Sequence, residues 1–380
     1  MENFMFHNPC KVIFGKGAIK KIGPAIKESG HKKILLLAGQ GSIRKNGVYQ
    51  QVTESLQSSG IKWSEFWGVQ PNPILPKVYE AIKAARKEKV GAILAIGGGS
   101  VIDSAKATAA GFYLSDIWEV FEGLRKVEKA LPLFTVLTLS ATASEMNQWA
   151  VLTKPDEKKK WAIGAEILIP KVTVIDPSVQ MSLPWSQTVN GAIDALSHLM
   201  ENYFVGTDEM VSMRICESLM ITIMEMTDRL QANPRDDNAR ANLVWAATMA
   251  HNGVSAIALK GGDWSAHRIE HGISALHPEI AHGTGLGIVF PAWIQYLKRY
   301  NRKTFHRWAR EVWSARNIDY AVEKLKTKYS KWGAPVSLEE VGISEKEIPA
   351  MAENTMGMGK LGVVKKLSRK DVEAILRLAL

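Results

Sequence analysis

The chain has 380 residues, of which 46% are hydrophobic and 23% are charged, a balance typical of a globular enzyme with two domains. Its net charge is +10, but basic and acidic residues alternate along the chain, which favours a solvated basic surface over a nucleic-acid-binding site. The chain has only two cysteines, which excludes a disulfide scaffold. It has no run of about 18 apolar residues, which excludes a membrane-spanning helix. No secretory signal is visible, so we predict a cytoplasmic protein.

The first half of the chain alternates short apolar runs with amphipathic helical patterns. Strands are predicted at Ile34–Leu37, Ile61–Trp67, Ala92–Ile96, Phe134–Leu139 and Val172–Ile175, and helices at 48–56, at Pro76–Lys87 and from Val101 onward. This alternation predicts a parallel sheet that is covered by helices on both faces.

The second half is predicted to be helical. Long patterns with apolar residues at helical spacing cover Met210–Leu230, Arg240–Ala258 and Arg369–Leu380, and Asn233-Pro234 separates the first two. We therefore predict an α/β domain at residues 1–184 and an all-helical domain at residues 185–380.

A glycine run follows the predicted strand Ala92–Ile96 directly. The run is GGGS at Gly97–Ser100, and a helix N-terminus preceded by glycines is a favourable site for a diphosphate. It lacks the third glycine of the GxGxxG fingerprint, and the same run could be an ordinary turn. Asp103 could bind a ribose or favour the first turn of the helix.

A second glycine loop, Gly39–Lys45, follows the first predicted strand. Dinucleotide sites that select NAD place an acidic residue near this point, and none is present here. Ser42, Arg44 and Lys45 offer instead a hydroxyl and two cations, which suit a 2′-phosphate, although the loop could also be a turn with exposed cations.

Carboxylate and imidazole side chains are grouped in the helical half. Asp194 and His198 are four residues apart and share a helix face, and His267, His271 and His282 lie within sixteen residues. Such ligands suit Zn²⁺ or Fe²⁺, although each histidine alone could be a core or surface residue. The run from His267 to His271 also matches HxxEH, the inverted zinc-protease pattern, which would leave the glycine loops unexplained.

Taken in order, these motifs resemble the group III, iron-dependent-type alcohol dehydrogenases, in the branch of butanol dehydrogenases and NADPH-dependent aldehyde reductases. The resemblance covers essentially the whole chain. It rests on Asn8-Pro9, FGKG at Phe14–Gly17, GGGSVIDSAK at Gly97–Lys106, TLSATASE at Thr138–Glu145, Asp176-Pro177, GAIDALSH at Gly191–His198, HRIEH at His267–His271 and His282-Gly283.

The resemblance implies an enzyme that interconverts primary alcohols and aliphatic aldehydes, with NADP(H) preferred over NAD(H) and one divalent metal, iron or zinc. It implies a Rossmann-like dinucleotide-binding domain, a helical metal-binding domain, an active site in the cleft between them, and a homodimer. Asp194, His198, His267 and His282 would bind the metal, and His271 would be catalytic beside the nicotinamide. The implied dinucleotide contacts are Gly39, Gly41, Ser42, Asn72, Gly98, Gly99, Ser100, Asp103, Thr138, Thr142, Asn147 and Lys160.

Some features leave alternatives open. The chain has one residue more between His271 and His282 than the resemblance leads us to expect, which affects the position of His282. Trp149 and Trp264 could line a small apolar pocket, or lie beside the motifs by coincidence. A lyase similar to dehydroquinate synthase and a non-catalytic basic binding protein are the competing classes.

Overall fold

The computed structural model describes residues 3–357 and 359–380 and divides into two compact units. The α/β unit comprises His7–Glu157 and Trp161–Leu183; the helical unit comprises residues 3–6, Lys158–Lys160 and the chain from Pro184 onward. The predicted combination of a parallel-sheet region with helices and a large helical C-terminal region is confirmed. Lys158–Lys160 lie in the helical unit, whereas the predicted domain of residues 1–184 includes them. The reason is that the Lys160 ammonium and the Lys158 carbonyl form hydrogen bonds with residues of the helical unit.

Within the described residues the chain forms eight strands and fifteen α-helices. The strands are β1 (Lys11–Phe14), β2 (Lys33–Ala38), β3 (Lys62–Phe66), β4 (Ala92–Gly97), β5 (Leu133–Leu137), β6 (Trp149–Lys154), β7 (Lys159–Gly164) and β8 (Val172–Ile175). The helices before residue 184 are α1 (Ile22–Glu28), α2 (Ser42–Lys45), α3 (Val48–Ser58), α4 (Leu75–Glu88), α5 (Gly99–Gly111) and α6 (Trp118–Phe121). The later helices are α7 (Trp185–Tyr203), α8 (Met210–Ala232), α9 (Asp237–Ala250), α10 (Ser265–Ser274), α11 (His282–Leu297), α12 (Arg302–Trp313), α13 (Ile318–Lys331), α14 (Ile348–Met356) and α15 (Arg369–Leu378).

Six strands form one parallel sheet in the order β1-β8-β5-β4-β2-β3, and β6 pairs with β7. Apart from Lys33 at the start of β2, the central strands β2 and β4 are apolar because helices cover both of their faces. Ile34 and Leu36 pack with α1 and α3, whereas Leu35 and Leu37 point to the opposite face, where α5 packs.

The connections after β2 and β4 leave the sheet on opposite faces. The chain after β2 enters α2 and α3, and the chain after β4 enters α5. In sheets of this kind ligands bind in the crevice outside the carboxyl ends of two such strands. The fold therefore places the candidate dinucleotide loops at the carboxyl ends of β2 and β4.

The helical unit is built around α7, which packs against α8, α9, α10 and α11. Its core contains an aromatic cluster in which the rings of Phe204 and Phe305 stack at a centroid distance of 4.2 Å, with Trp293 beside them. A rigid core of this kind fixes the relative positions of α7, α10 and α11, the helices that carry the candidate metal ligands.

Several predicted bounds differ from the observed ones. The helix predicted at Arg240–Ala258 ends at Ala250, because Gly253 adopts a φ of 99° and the chain turns away. Strand β1 at the sheet edge was not predicted, since it has only four residues, all exposed or half-buried, and leaves only a short apolar signal. Among the described residues, no helix is both long and apolar enough to cross a bilayer.

Candidate active site

The loop between β4 and α5 forms the first part of the candidate cofactor site. Gly98 is the N-cap and α5 begins at Gly99, two residues before the predicted start at Val101. A β-carbon on Gly99 would lie 2.5 Å from Oγ1 of Thr142, so the close approach of the Thr142 side chain to the Gly99 backbone favours glycine here. Because the first amides of a helix lack intrahelical partners and carry partial positive charge, this helix start suits a diphosphate.

Asp103, a predicted ribose ligand, is buried in the first turns of α5. One carboxylate oxygen accepts a hydrogen bond from the Ser144 hydroxyl at 2.6 Å and the other accepts one from the Val151 amide at 3.0 Å. The geometry therefore favours a role in holding the chain between β5 and β6, and a ribose contact stays a prediction.

Lys106, to which the sequence analysis gave no role of its own, is fully buried on α5. Its ammonium donates to the Ser144 hydroxyl (2.8 Å), the Trp149 carbonyl (2.8 Å), and both the carbonyl (2.8 Å) and the side-chain oxygen (3.1 Å) of Asn147. Burial lowers the pKa of Lys106 to about 8. Since Asn147 also donates to the Thr142 carbonyl, Lys106 holds in place a loop that carries two predicted cofactor residues.

The loop after β2 contains the second predicted part of the cofactor site. Gly41 has a φ of 111°, which glycine adopts readily, and α2 begins at Ser42. The Arg44 guanidinium lies 4.2 Å from the ring centroid of Trp67 and 3.6 Å from the Glu65 carboxylate. Its side chain is still 58% exposed, so it remains accessible to an anion.

The other predicted cofactor residues lie in loops that follow strands of the same sheet. Gly39 follows β2, Asn72 lies between β3 and α4, and Thr138 follows β5, where its amide donates to the Gly97 carbonyl at 3.0 Å. Every predicted dinucleotide contact except Lys160 therefore follows the carboxyl end of β2, β3, β4 or β5.

The four predicted metal ligands meet in the helical unit. Oδ1 of Asp194 lies 3.7 Å from Nδ1 of His198, 3.8 Å from Nε2 of His267 and 3.6 Å from Nε2 of His282. The donor atoms of Asp194, His267 and His282 all lie within 4.8 Å of one another. His198 is not part of that closest group, but its ring centroid is 4.7 Å from that of His267.

The chemistry of these atoms fits a divalent metal. The contacts are too long for hydrogen bonds, and Asp194 Oδ1, His198 Nδ1 and His267 Nε2 are buried without a hydrogen-bond partner. Buried polar atoms are costly to leave unsatisfied. Ligands about 2.1 Å from a tetrahedral ion lie about 3.4 Å apart, close to the observed separations.

Two buried glutamates hold two of the three imidazoles of this cluster, those of His267 and His282. Glu201 accepts hydrogen bonds from the backbone amide of His267 at 3.0 Å and from its Nδ1 at 3.1 Å. Glu270 accepts a hydrogen bond from Nδ1 of His282. Each interaction leaves Nε2 of the ring directed at the metal cluster, which is the usual arrangement of a carboxylate, a histidine and a metal.

Charged groups of this cluster shift the pKa values of their neighbours. Burial opposes the charged form of His267, but its contacts with Asp194 and Glu201 outweigh that effect and raise its pKa to about 9. Burial likewise opposes ionisation of Asp194, yet the surrounding histidines lower its pKa to about 2. A metal must therefore displace a proton from His267 below pH 9, and its affinity should rise with pH up to that value.

We expect Glu201→Gln to weaken metal binding about 10- to 100-fold, because the amide cannot hold the same His267 tautomer as firmly. Competition with a chelator measures this effect. Glu217→Gln is the matched control: Glu217 is a buried acid that accepts from Tyr203 and Arg307, so its loss should lower the melting temperature and leave metal affinity unchanged. Equal metal affinity in Glu201→Gln and the wild type would contradict this role.

Lys160, a predicted dinucleotide contact, lies within the helical unit. Its ammonium donates to the Ser274 hydroxyl at 2.7 Å and lies 3.4 Å from the Glu270 carboxylate. Because Glu270 holds His282, Lys160 compensates the charge of a carboxylate that supports the metal cluster. Its contact with the dinucleotide stays a prediction.

His271, predicted to be catalytic, is buried beside this cluster. Its ring centroid lies 5.4 Å from that of His282, and its donor atoms group with Glu270 and His282 and not with Asp194. Burial, reinforced by the nearby Lys160 ammonium, holds the pKa of His271 well below its usual value. The imidazole is therefore neutral at pH 7 and can accept a proton.

Sequence reasoning missed the supporting glutamates, although Glu201 had a detectable signal. Asp194, His198 and Glu201 are spaced i, i+4 and i+7 and therefore share one face of α7. No comparable signal marks His251, whose ring stacks on that of His198 with centroids 4.5 Å apart and planes 8° apart. That contact depends on the turn after α9.

The extra residue before His282 is accommodated in the loop after α10. His277 contacts Glu279 and Glu347 at 3.3 and 3.1 Å, and α11 begins at His282 itself. The length of the loop therefore does not displace His282 from the cluster.

Known protein families match nearly the whole chain. The family described as iron-containing alcohol dehydrogenase matches residues 9–177, and its C-terminal counterpart matches residues 188–380. The NADH-dependent butanol dehydrogenase A of Clostridium acetobutylicum is 36% identical over 99% of both chains. The NADPH-dependent aldehyde reductase YqhD of Escherichia coli is 33% identical over 98% of this chain and 100% of the relative.

A solved structure supports the same family assignment. The crystal structure of the NADH-dependent butanol dehydrogenase A from Thermotoga maritima superposes with a TM-score of 0.98 at 50% identity, covering 100% of this chain and 99% of that one. The inverted zinc-protease alternative is not supported, since both halves of the chain match one dehydrogenase family. The chain belongs to the iron-containing alcohol dehydrogenase family.

Proposed function

We propose that the protein is a metal-dependent NAD(P)(H) oxidoreductase that interconverts primary alcohols and aliphatic aldehydes. One observation carries the metal assignment: a buried carboxylate oxygen of Asp194 is surrounded by three imidazole nitrogens at 3.6–3.8 Å. The names of its butanol dehydrogenase and aldehyde reductase relatives support the substrate class.

Asp194, His198, His267 and His282 would hold the ion, and Glu201 and Glu270 orient two of the imidazoles. When bound, a divalent metal here would polarise the carbonyl oxygen of an aldehyde, and the dinucleotide would supply or accept the hydride. One carboxylate and three neutral imidazoles would leave a divalent ion at this site with a net positive charge, which favours an oxygen that becomes negative.

His271 is the proposed proton carrier. Its neutral imidazole is buried on α10, one turn after His267. It can accept a proton as an alcohol is oxidised and return one as an aldehyde is reduced. Lys160 and Glu270 lie beside it and set its charge environment, so its protonation depends on them.

Iron and zinc are both compatible with an oxygen and nitrogen donor set, and we propose either as the ion. Zinc binds such ligands more tightly than ferrous iron, so metal content depends on availability. The homodimer and the cytoplasmic location implied by the resemblance stay predictions.

We propose that NADP(H) is preferred over NAD(H). Gly39 provides no acid to bind a ribose 2′-hydroxyl, and Arg44 is available to a 2′-phosphate. The nearby Glu65 carboxylate is already engaged by Tyr49, Trp63 and Trp67. Relatives named for either coenzyme exist, so the preference has to be measured on this chain.

The test is oxidation of NADPH and of NADH with butanal, before and after chelation, with Fe²⁺ or Zn²⁺ added back. We expect turnover that is lost with the metal and restored by add-back, a higher kcat/KM for NADPH, and a ratio near one in Arg44→Ala. Turnover that survives complete chelation would reject the metal assignment. Absence of coenzyme oxidation with aldehydes would favour a lyase similar to dehydroquinate synthase, or, if salt-sensitive nucleic-acid binding appeared, a basic binding protein.

A further inference from the structure

The segment that leads into α10 is unusually strained. Of the seven residues from Ala258 to Trp264, five have positive φ, and three of these are not glycine: Ala258 at 59°, Lys260 at 46° and Trp264 at 60°. The left-handed region is unfavourable for residues with a β-carbon, most of all for bulky ones. Backbone strain of this kind persists where the surrounding structure imposes it, and it is concentrated at functional sites.

Trp264 is the bulkiest of these three residues, and its side chain does not cap the helix that it precedes. It is the N-cap of α10, but it makes no side-chain capping bond, a role that Ser, Thr, Asp or Asn would fill. Its indole nitrogen donates to the Gly261 carbonyl at 2.5 Å. A β-carbon on Gly262 would lie 2.6 Å from that nitrogen, so the segment is shaped to seat the indole.

The strain places the Trp264 ring against the candidate metal ligands. Its centroid lies 5.3 Å from that of His267, 6.0 Å from that of His198 and 4.9 Å from that of His251. Both ligands are buried, whereas Trp264 and His251 are half-buried. Trp264 and His251 therefore form an aromatic wall that covers one side of the metal cluster and faces outward from it.

We propose that Trp264 determines substrate size by closing this side of the metal cluster to branched or bulky groups next to the reacting carbon. The inference rests on the proposed function, because it requires the substrate oxygen to bind at the cluster. A rigid indole that is fixed by a strained backbone and a hydrogen bond cannot rotate away to admit a larger group. An unbranched aliphatic aldehyde presents only a narrow chain beside it.

The test compares Trp264→Gly and Trp264→Asn with the wild-type holoenzyme. Glycine and asparagine both tolerate a positive φ, so neither variant adds backbone strain while the indole is removed. Lys260→Gly is the matched control, since it relieves the same kind of strain at an exposed position and leaves the indole in place. The substrates are butanal, 2-ethylbutanal and benzaldehyde, each with saturating NADPH, and metal affinity is measured separately by chelator competition.

We expect kcat/KM for 2-ethylbutanal and benzaldehyde, relative to butanal, to rise about tenfold in both Trp264 variants and to stay unchanged in Lys260→Gly. Metal affinity should stay within about twofold of the wild type, since Trp264 supplies no ligand. An unchanged substrate profile would overturn the proposal. So would a loss of metal affinity with an equal fall in kcat/KM for all three aldehydes, which would indicate that Trp264 only supports His198 and His267.

Failure of the proposed function would look different. In that case the wild type itself would reduce butanal after complete chelation, or would not reduce it at all. A wild type that needs its metal, together with Trp264 variants that keep its size preference, would reject only the inference about Trp264.

Discussion

Asp194→Ala is expected to abolish metal retention and turnover together. Asp194 is the one carboxylate among the proposed ligands, and its Oδ1 lies 3.6–3.8 Å from nitrogens of all three histidines. Without it the histidines offer a metal no compensating negative charge. We expect kcat/KM for butanal to fall on the order of 10³-fold or more, and the purified variant to contain almost no metal.

His267→Ala should produce the same pair of losses, because it removes a buried ligand that Glu201 orients. Metal analysis of the purified proteins and activity after add-back of Fe²⁺ or Zn²⁺ measure both effects. Asp319→Ala is the control: Asp319 is an exposed acid of the helical unit that pairs with Lys298, and its loss should leave metal and turnover unchanged. If Asp194→Ala or His267→Ala kept full activity after extensive chelation, the metal centre would be assigned wrongly.

The second large effect is expected at His271. We expect His271→Ala to lower kcat about 100-fold while the metal stays bound, because a positioned acid–base group contributes about 10²–10⁴-fold. The variant should also lose the acid limb of the pH profile that depends on this imidazole. Steady-state kinetics across pH, with metal analysis of the same samples, provides the measurement.

The direction of the pH effect follows from burial. The pKa of folded His271 is lowered, so between that value and the unfolded value near 6.5 the unfolded chain binds the extra proton. The contribution of a neutral His271 to stability is present above pH 6.5 and is lost as pH falls. The free energy of unfolding of wild-type apoprotein should therefore decrease more steeply below pH 6.5 than that of His271→Ala.

His306→Ala is the matched control for this prediction, since His306 is exposed on α12 and contacts only Arg302 among the hydrogen-bond partners that the structure describes. It should leave kcat and the pH profile unchanged. Loss of the metal from His271→Ala would contradict the assignment and place His271 among the ligands.

Local sequence patterns were sufficient for five of the six strands of the parallel sheet and for placing Asp194 and His198 on one helix face. Apolar runs such as Ala92–Ile96 are long enough for a strand and too short for a helix, and the glycines that follow allow only a turn or a helix start. Asp194 and His198 meet because four residues make one helical turn, and this spacing holds wherever α7 lies.

The interactions that tune the site depended on tertiary structure. Glu201 meets His267 across 66 residues, and Lys160 meets Glu270 across 110. Periodicity reports which face of a helix is buried, but not which neighbouring helix that face meets. Sequence periodicity therefore gave no sign that the Lys160 ammonium lies against Glu270, the carboxylate that supports His282, and the predicted contact of Lys160 with the dinucleotide stays a prediction.

The sequence by itself determined the family, the alternation of strands and helices, and the residue types that can bind a metal, because these depend on neighbours within one or two turns or on ordered motifs. Only the tertiary structure decided which carboxylate holds which imidazole, which lysine is buried, and that a strained tryptophan stands beside the ligands. The physical reason is that desolvation and hydrogen bonding act through distances in space, and chain separation does not encode those distances.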